Sequence, residues 1–352
     1  MLGKFITEAR HEHAVVVAVD RNYLPLALFV LHQLAADAER SGYDLVLLRA
    51  FRDDFAVPAT LEGRVRIIDF DEDSLPDVPT PLARISKATY LRLYIPKLFA
   101  RTYTKIIYLD ADIYVRHANL APLFKLDMGN FPVAAVRGVQ SFARPDKPHR
   151  DYFEGLGLAW GTPYFNAGVM VVAPSLADRL KVFDDALQFA LEFPEKCQCG
   201  DQSALNHILK NQWMEISPRW NWLNNWTTFF LLQKRMIRRH DPSILHFNGR
   251  RKYWKEPLGF YETPYASDAR TFLSGTEWER FVPHPQRTIR LSLASAKRRV
   301  EEGWRLGAAY VADRLGTSLR YRRFDFYSRY LNETRFADVE QNLCPPMGTG
   351  RL

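Results

Sequence analysis

Apolar positions along the chain fall into two rhythms. Ala14-Val15-Val16-Val17-Ala18-Val19 is a continuous run rich in β-branched residues, the pattern of a strand buried on both faces. The polar turn Asp20-Arg21-Asn22-Tyr23 ends it, and a helical stretch follows from about Pro25 to Ala38. Leu45 to Arg49 and Val65 to Phe70 predict two more strands. The order strand, helix, strand, connection, strand is that of a parallel sheet with crossover helices, and the fold class is α/β.

From Ser86 to Leu98 the spacing predicts one helix. Leu91, Tyr94, Ile95 and Leu98 form its apolar stripe, and Arg92 lies off it. Lys105 to Leu109 is another buried strand and runs directly into Asp110-Ala111-Asp112. Further strands are expected at Val133–Val136, Ala167–Val172 and Ile244–Phe247, and helices at 175–193 and 201–210.

The chemistry begins with the two aspartates. Residues i and i+2 of an extended segment point the same way, so Asp110 and Asp112 present two carboxylates at the carboxyl end of a strand, the edge where open α/β sheets bind ligands. Two hard oxygen ligands suit Mg²⁺ or Mn²⁺ carrying a diphosphate. His246, at the end of a later apolar strand, can complete such a site. Gly249 allows close approach of backbone to a ligand, and Arg250, Arg251 and Lys252 offer cations to phosphate. Tyr164-Phe165-Asn166-Ala167-Gly168 leads into a strand, and Asp201 opens a helix, where its charge suits the dipole.

Together these stretches resemble glycosyltransferase family 8. The resemblance runs through Ala18–Tyr23, Ile85–Leu93, Tyr108–Asp112, Tyr164–Gly168, Asp201–Asn206 and His246–Gly249, in order, over about residues 13–255. It implies a GT-A fold, a Rossmann-like mixed sheet flanked by helices, and retaining transfer of a hexose from a UDP-sugar. Asp20, Asn22 and Tyr23 are then expected to contact uracil and ribose. Asp110, Asp112 and His246 are expected to ligate Mn²⁺, with Mg²⁺ as the alternative ion. Gly249 and Lys252 are expected to hold the diphosphate, although the Gly-Pro that commonly precedes this lysine is replaced by Gly249-Arg250-Arg251. Arg92, Asn166, Ala167, Asp201 and Gln202 are expected around the donor sugar. Gln202 and Asp201 are the catalytic candidates; an amide is a poor nucleophile, which favours front-face substitution over a double displacement. The acceptor implied is a glycan or a lipid-linked saccharide such as lipopolysaccharide core. The setting implied is the cytoplasmic face of a bacterial inner membrane.

Composition adds a second element. The 352 residues carry a net charge of +8, and residues 285–330 hold 11 Lys and Arg against 4 Asp and Glu. The excess therefore lies near the C-terminus, which fits an anionic membrane surface better than long nucleic acid, and no nucleic-acid partner is expected. We expect a catalytic domain over 1–283 and a basic, partly amphipathic helical extension over 284–352. In the extension Trp304, Leu306, Tyr310, Val311 and Leu315 form an apolar side near Lys297, Arg298, Arg299 and Arg305, with a flexible tail behind them. No stretch reaches the roughly 18 apolar residues of a membrane span. Cys197, Cys199 and Cys344 match no disulfide or zinc framework, so a reducing cytoplasm is expected. Two rivals remain. A haloacid-dehalogenase-type phosphatase also carries Asp-x-Asp after a strand, though usually near the start of its domain. A catalytically inactive nucleotide-sugar-binding protein would retain the same ligand residues.

Overall fold

A computed structural model describes residues 3–5, 8–78, 87–142, 146–224, 236–248, 252–255, 263–284, 296–297, 300–301 and 303–304. These form two compact units. The first holds the residues up to Ala111 together with Ala118–Ser217, and the second holds Asp112–His117 and the described residues from Pro218 onward.

The first unit is built on an eight-stranded sheet. Its strands are β1 (Gly3–Phe5), β2 (His13–Val19), β3 (Asp44–Arg49), β4 (Val65–Phe70), β5 (Lys105–Leu109), β7 (Val133–Arg137), β8 (Phe165–Val172) and β9 (Met214–Glu215), in the order β1-β4-β3-β2-β5-β8-β7-β9. β6 (Ile113–Val115) belongs to the second unit. β4, β3, β2 and β5 run parallel, whereas β8 is antiparallel to both β5 and β7. The sheet is therefore mixed, as expected for a GT-A fold. Both of its faces are dry. Val16, Val46, Ile106 and Met170 share a core with Tyr90, Leu91, Phe183 and Leu205. Their neighbours of opposite parity, Val15, Val17, Leu45 and Leu47, are equally buried. Burial on both faces is why these strands read as unbroken apolar runs.

The crossover helix α1 spans Leu24–Ser41 and stops at Gly42, whose left-handed φ of 72° lets its N–H reach the Ala38 carbonyl. Two helical expectations need correction. The segment 86–98 is not one α-helix. Lys87–Tyr94 is a 3-10 helix and only Ile95–Phe99 is α-helical. Pro96 explains the break: it has no N–H to continue an α-helical ladder and sits comfortably only in a first turn. The predicted stripe is accordingly incomplete, since Leu98 is half-buried while Arg92 is buried. The stretch 175–193 is two helices, Pro174–Arg179 and Val182–Glu192, separated at Lys181, whose φ is +55°. Cys197 and Cys199 are free thiols, and burial pushes Cys197 up to about 12.

The second unit contains a three-stranded sheet, β10 (Trp222–Leu223), β11 (Ile244–His246) and β6 (Ile113–Val115), in that order. β11 is antiparallel to β6 and parallel to β10. A helix at Thr263–Leu273 is tied to β6: the Tyr114 hydroxyl donates to Asp268, and the Tyr114 and Tyr265 rings lie 4.5 Å apart.

Candidate active site

In the first unit Asp20 and Asp110 follow the carboxyl ends of β2 and β5, and Asn166 and Ala167 lie at the amino end of the antiparallel β8. Asp20 caps the 3-10 turn Arg21–Tyr23, its Oδ1 accepting from the Tyr23 N–H at 3.1 Å. This local bond fixes Asp20, Asn22 and Tyr23 as one group directly after β2. Asp110 follows the neighbouring strand β5; its N–H donates to the Gly168 carbonyl at 2.8 Å, and its Oδ1 accepts from the Tyr108 hydroxyl at 2.7 Å.

β8 departs from regular pairing where the motif lies. Ala135 of β7 faces Met170, but the next residue, Val136, faces Asn166. Ala167, Gly168 and Val169 are thus looped out of the β7 ladder, an irregularity of the kind that re-aims groups beside functional sites. The freed Ala167 carbonyl accepts from Arg92 Nη1 at 2.9 Å.

Arg92 organises this half. Nη1 also lies 2.9 Å from Asp110 Oδ1, and Nε lies 2.9 Å from Asp201 Oδ2. Nε donates to the Thr89 carbonyl at 3.0 Å and Nη2 to the Thr89 hydroxyl at 2.8 Å, while that hydroxyl donates to Asp201 Oδ1 at 2.7 Å. The guanidinium stacks 4.7 Å over the Tyr108 ring. Asp201, first residue of the helix Asp201–Leu209, is only 2% exposed. Burial raises its carboxyl above the usual range, and Arg92 and Thr89 oppose that shift. Beside it, Gln202 Oε1 accepts from Asn166 Nδ2 at 2.9 Å and from the Ala167 N–H at 3.2 Å.

The second unit carries a different cluster. Asp112 Oδ2 accepts from Lys252 Nζ at 2.6 Å, and Lys252 also donates to the Phe247 carbonyl. Asp112 Oδ1 lies 3.0 Å from His246 Nε2, yet it is buried and accepts no hydrogen bond. His246, 2% exposed, has its Nδ1 2.9 Å from Asn221 Oδ1. In the neutral ring with Nδ1 donating there, Nε2 carries the lone pair and faces a carboxylate oxygen. Two electron-pair donors at this distance suit a shared cation. Asn248 Oδ1 is a further buried acceptor without a hydrogen bond. Burial works against the charged form of Asp112, but the Lys252 ammonium beside it outweighs that cost and holds the carboxyl well below the usual range.

The predicted residues thus fall into the Asp20–Tyr23 turn, the Arg92 cluster and the Asp112 cluster. Gly249, Arg250 and Arg251 lie outside the described residues. Sequence reasoning gave no role to Thr89, although it lies within a recognised motif three residues before Arg92. It missed Asn221 altogether; that residue stands 25 positions before its histidine in an irregular aromatic stretch that carries no pattern.

The profile of glycosyl transferase family 8 matches residues 14–257, more than half of the chain. The chain belongs to glycosyl transferase family 8. As a family 8 glycosyltransferase it leaves the phosphatase reading without support. It is 29% identical over 206 residues to general stress protein A of Bacillus subtilis, covering 56% of this chain and 68% of that protein. It is 22% identical over 290 residues to the lipopolysaccharide 1,2-glucosyltransferase of Escherichia coli, covering 78% and 81%. Matches to streptococcal glycosyltransferases span only 22% and 25% of those longer proteins. Among solved structures, galactosyltransferase LgtC superposes with a TM-score of 0.64 at 22% identity, covering 76% of this chain and 99% of LgtC. That likeness shows the fold.

Proposed function

We propose that this family 8 enzyme transfers a hexose-type sugar (galactose, glucose or galacturonic acid) from a UDP-sugar to a glycan or lipid-linked saccharide, with retention of configuration. The observation that carries this reading is the unsatisfied Asp112 Oδ1 facing His246 Nε2. Asp110 stands two residues earlier in the chain. The three residues supply two carboxylates and one imidazole, a donor set that fits Mn²⁺ or Mg²⁺ better than a soft ion. When bound, the cation would neutralise charge developing on the departing diphosphate.

The remaining work falls to the chain itself. Lys252, with Gly249, is assigned to the diphosphate, and Arg250 or Arg251 can share that task. Asp20, Asn22 and Tyr23 are assigned to the nucleoside, and Arg92, Asn166, Ala167 and Gln202 to the donor sugar. Asp201 is buried and turned toward Arg92 and Thr89. That placement favours a positioning role over a nucleophilic one and so supports front-face substitution, in which the leaving phosphate oxygen takes the acceptor's proton.

A lipopolysaccharide-type acceptor is supported by the name of the Escherichia coli relative. Attachment to the cytoplasmic face of a membrane is supported by the basic region 285–330, where Val300 and Trp304 are 71% and 79% exposed at helical spacing. No helix among the described residues is long and apolar enough to cross a membrane. We assign 284–352 to this membrane-associating extension and 1–283 to catalysis. The test is a panel of UDP-sugars assayed for UDP release with Mn²⁺ and with a chelator. The proposal expects metal-dependent release from at least one hexose donor. Absence of release from every member, or release indifferent to chelation, contradicts it.

A further inference from the structure

The first unit contains a buried chain of hydroxyls with no part in the mechanism above. Tyr152 Oη lies 2.9 Å from Tyr164 Oη and 2.8 Å from Ser203 Oγ, and Ser203 Oγ accepts from the Cys199 N–H at 2.9 Å. At its other end, Gln202 Nε2 donates to Tyr164 Oη at 3.4 Å. Tyr152, Tyr164 and Ser203 are all buried. Burial raises both phenols well above their ordinary range, so they stay neutral and keep their protons.

The orientation of the Gln202 amide follows from two donors that cannot be exchanged. The Gly168 backbone N–H donates to Asn166 Oδ1 at 3.0 Å, which leaves Asn166 Nδ2 as the atom facing Gln202. The Ala167 backbone N–H also points at Gln202, so the atom that receives both must be the Gln202 oxygen. A carbonyl oxygen has two lone pairs, and both are engaged. Gln202 is nevertheless half-buried, so its unengaged amide face offers N–H and not oxygen.

We infer that Tyr164, backed by Tyr152, is a positioning residue that anchors the Gln202 amide: its oxygen is held by Asn166 and Ala167 and one N–H by Tyr164, so that Gln202 meets the donor sugar with its second N–H, as a hydrogen-bond donor. The inference rests on the proposed placement of Gln202 at that sugar. A residue so held cannot swing its oxygen toward the anomeric carbon without giving up two N–H bonds. The Asn166 Nδ2 and Ala167 N–H donors oppose that rotation, because a flipped amide would turn its NH₂ toward both of them, and Tyr164 Oη anchors the nitrogen side of the amide.

The experiment is a double-mutant cycle on turnover with the active UDP-sugar, using wild type, Tyr164→Phe, Gln202→Ala and the double variant, with melting temperatures recorded for each. Tyr164→Phe is expected to lower kcat about tenfold, the worth of one hydrogen bond, with donor KM unchanged. In the Gln202→Ala background the same substitution should change nothing further. Equal loss in both backgrounds, or no loss in the wild-type background, overturns the inference. Tyr152→Phe should give a smaller loss with the same pattern, and it stands in if Tyr164→Phe does not fold. A second readout needs no activity. In ¹⁵N-glutamine-labelled protein the Gln202 side-chain resonances, assigned by their loss in Gln202→Ala, should shift in the tyrosine variant, and an unshifted pair overturns the inference. Failure of wild type to release UDP from any donor would instead remove the functional reading and leave this spectroscopic test standing.

Discussion

The Arg92 cluster and the Asp112 cluster both bury carboxylate charge, but they balance it differently. Around Arg92 one guanidinium serves Asp110 and Asp201, and Thr89 and Ala167 accept from its N–H groups; the buried oxygen that accepts no hydrogen bond, Asp201 Oδ2, lies 2.9 Å from that permanent cation. Around Asp112 the corresponding oxygen has no permanent cation beside it. Lys252 satisfies one oxygen, and the other faces an imidazole nitrogen with no hydrogen bond between them. The first cluster meets its charge from within the chain. The second has the electrostatics of a receptor. A buried carboxylate oxygen without a donor is unfavourable unless a cation balances it; Arg92 supplies that charge to Asp201, and at Asp112 Oδ1 a bound cation would.

Substitutions in the two clusters should therefore fail in different ways. The largest effect belongs to Arg92→Met, which strands Asp110 and Asp201 without their shared cation. Breaking a buried pair by removing one partner costs about 3–5 kcal/mol, and we expect a loss of that order in denaturant unfolding even without ligands. Next comes Asn221→Ala, which frees the His246 ring. Loss of such an orienting partner weakens metal binding about 10- to 100-fold, and calorimetric Mn²⁺ titration should show this with little change in the metal-free melting temperature. A large drop in that temperature would make Asn221 scaffold like Arg92 and erase the contrast. Smallest is Thr89→Val, which removes one donor from Asp201 and one acceptor from Arg92. It should destabilise by about 1–3 kcal/mol and leave Mn²⁺ affinity untouched, as judged by the same titration.

What the sequence disclosed follows from length and periodicity. Strands such as His13–Val19 and Lys105–Leu109 were legible because burial on both faces demands continuous apolar residues. Ile113–Val115 and Trp222–Leu223 were not, because two or three residues hold no period. One helix was misjudged at Pro96 and another at Lys181, where backbone geometry overrode an acceptable apolar pattern. Within the candidate site, Asp110, Asp112 and His246 stood out because ligand-type side chains end apolar runs. Thr89, Asn221 and Tyr164 did not acquire roles from sequence, since their partners lie far along the chain or are backbone groups, and ordinary polar residues carry no mark of what they orient.

The central claim is that the Asp112 cluster is completed by a divalent cation. Electron paramagnetic resonance of Mn²⁺ titrated into the metal-free protein with UDP measures this directly, because bound Mn²⁺ loses the sharp signal of the free ion. Wild type should take up about one equivalent, and His246→Ala should bind at least about a hundredfold more weakly, more than the loss of an orienting partner alone. Equal uptake by wild type and His246→Ala, or none by wild type, would contradict the account.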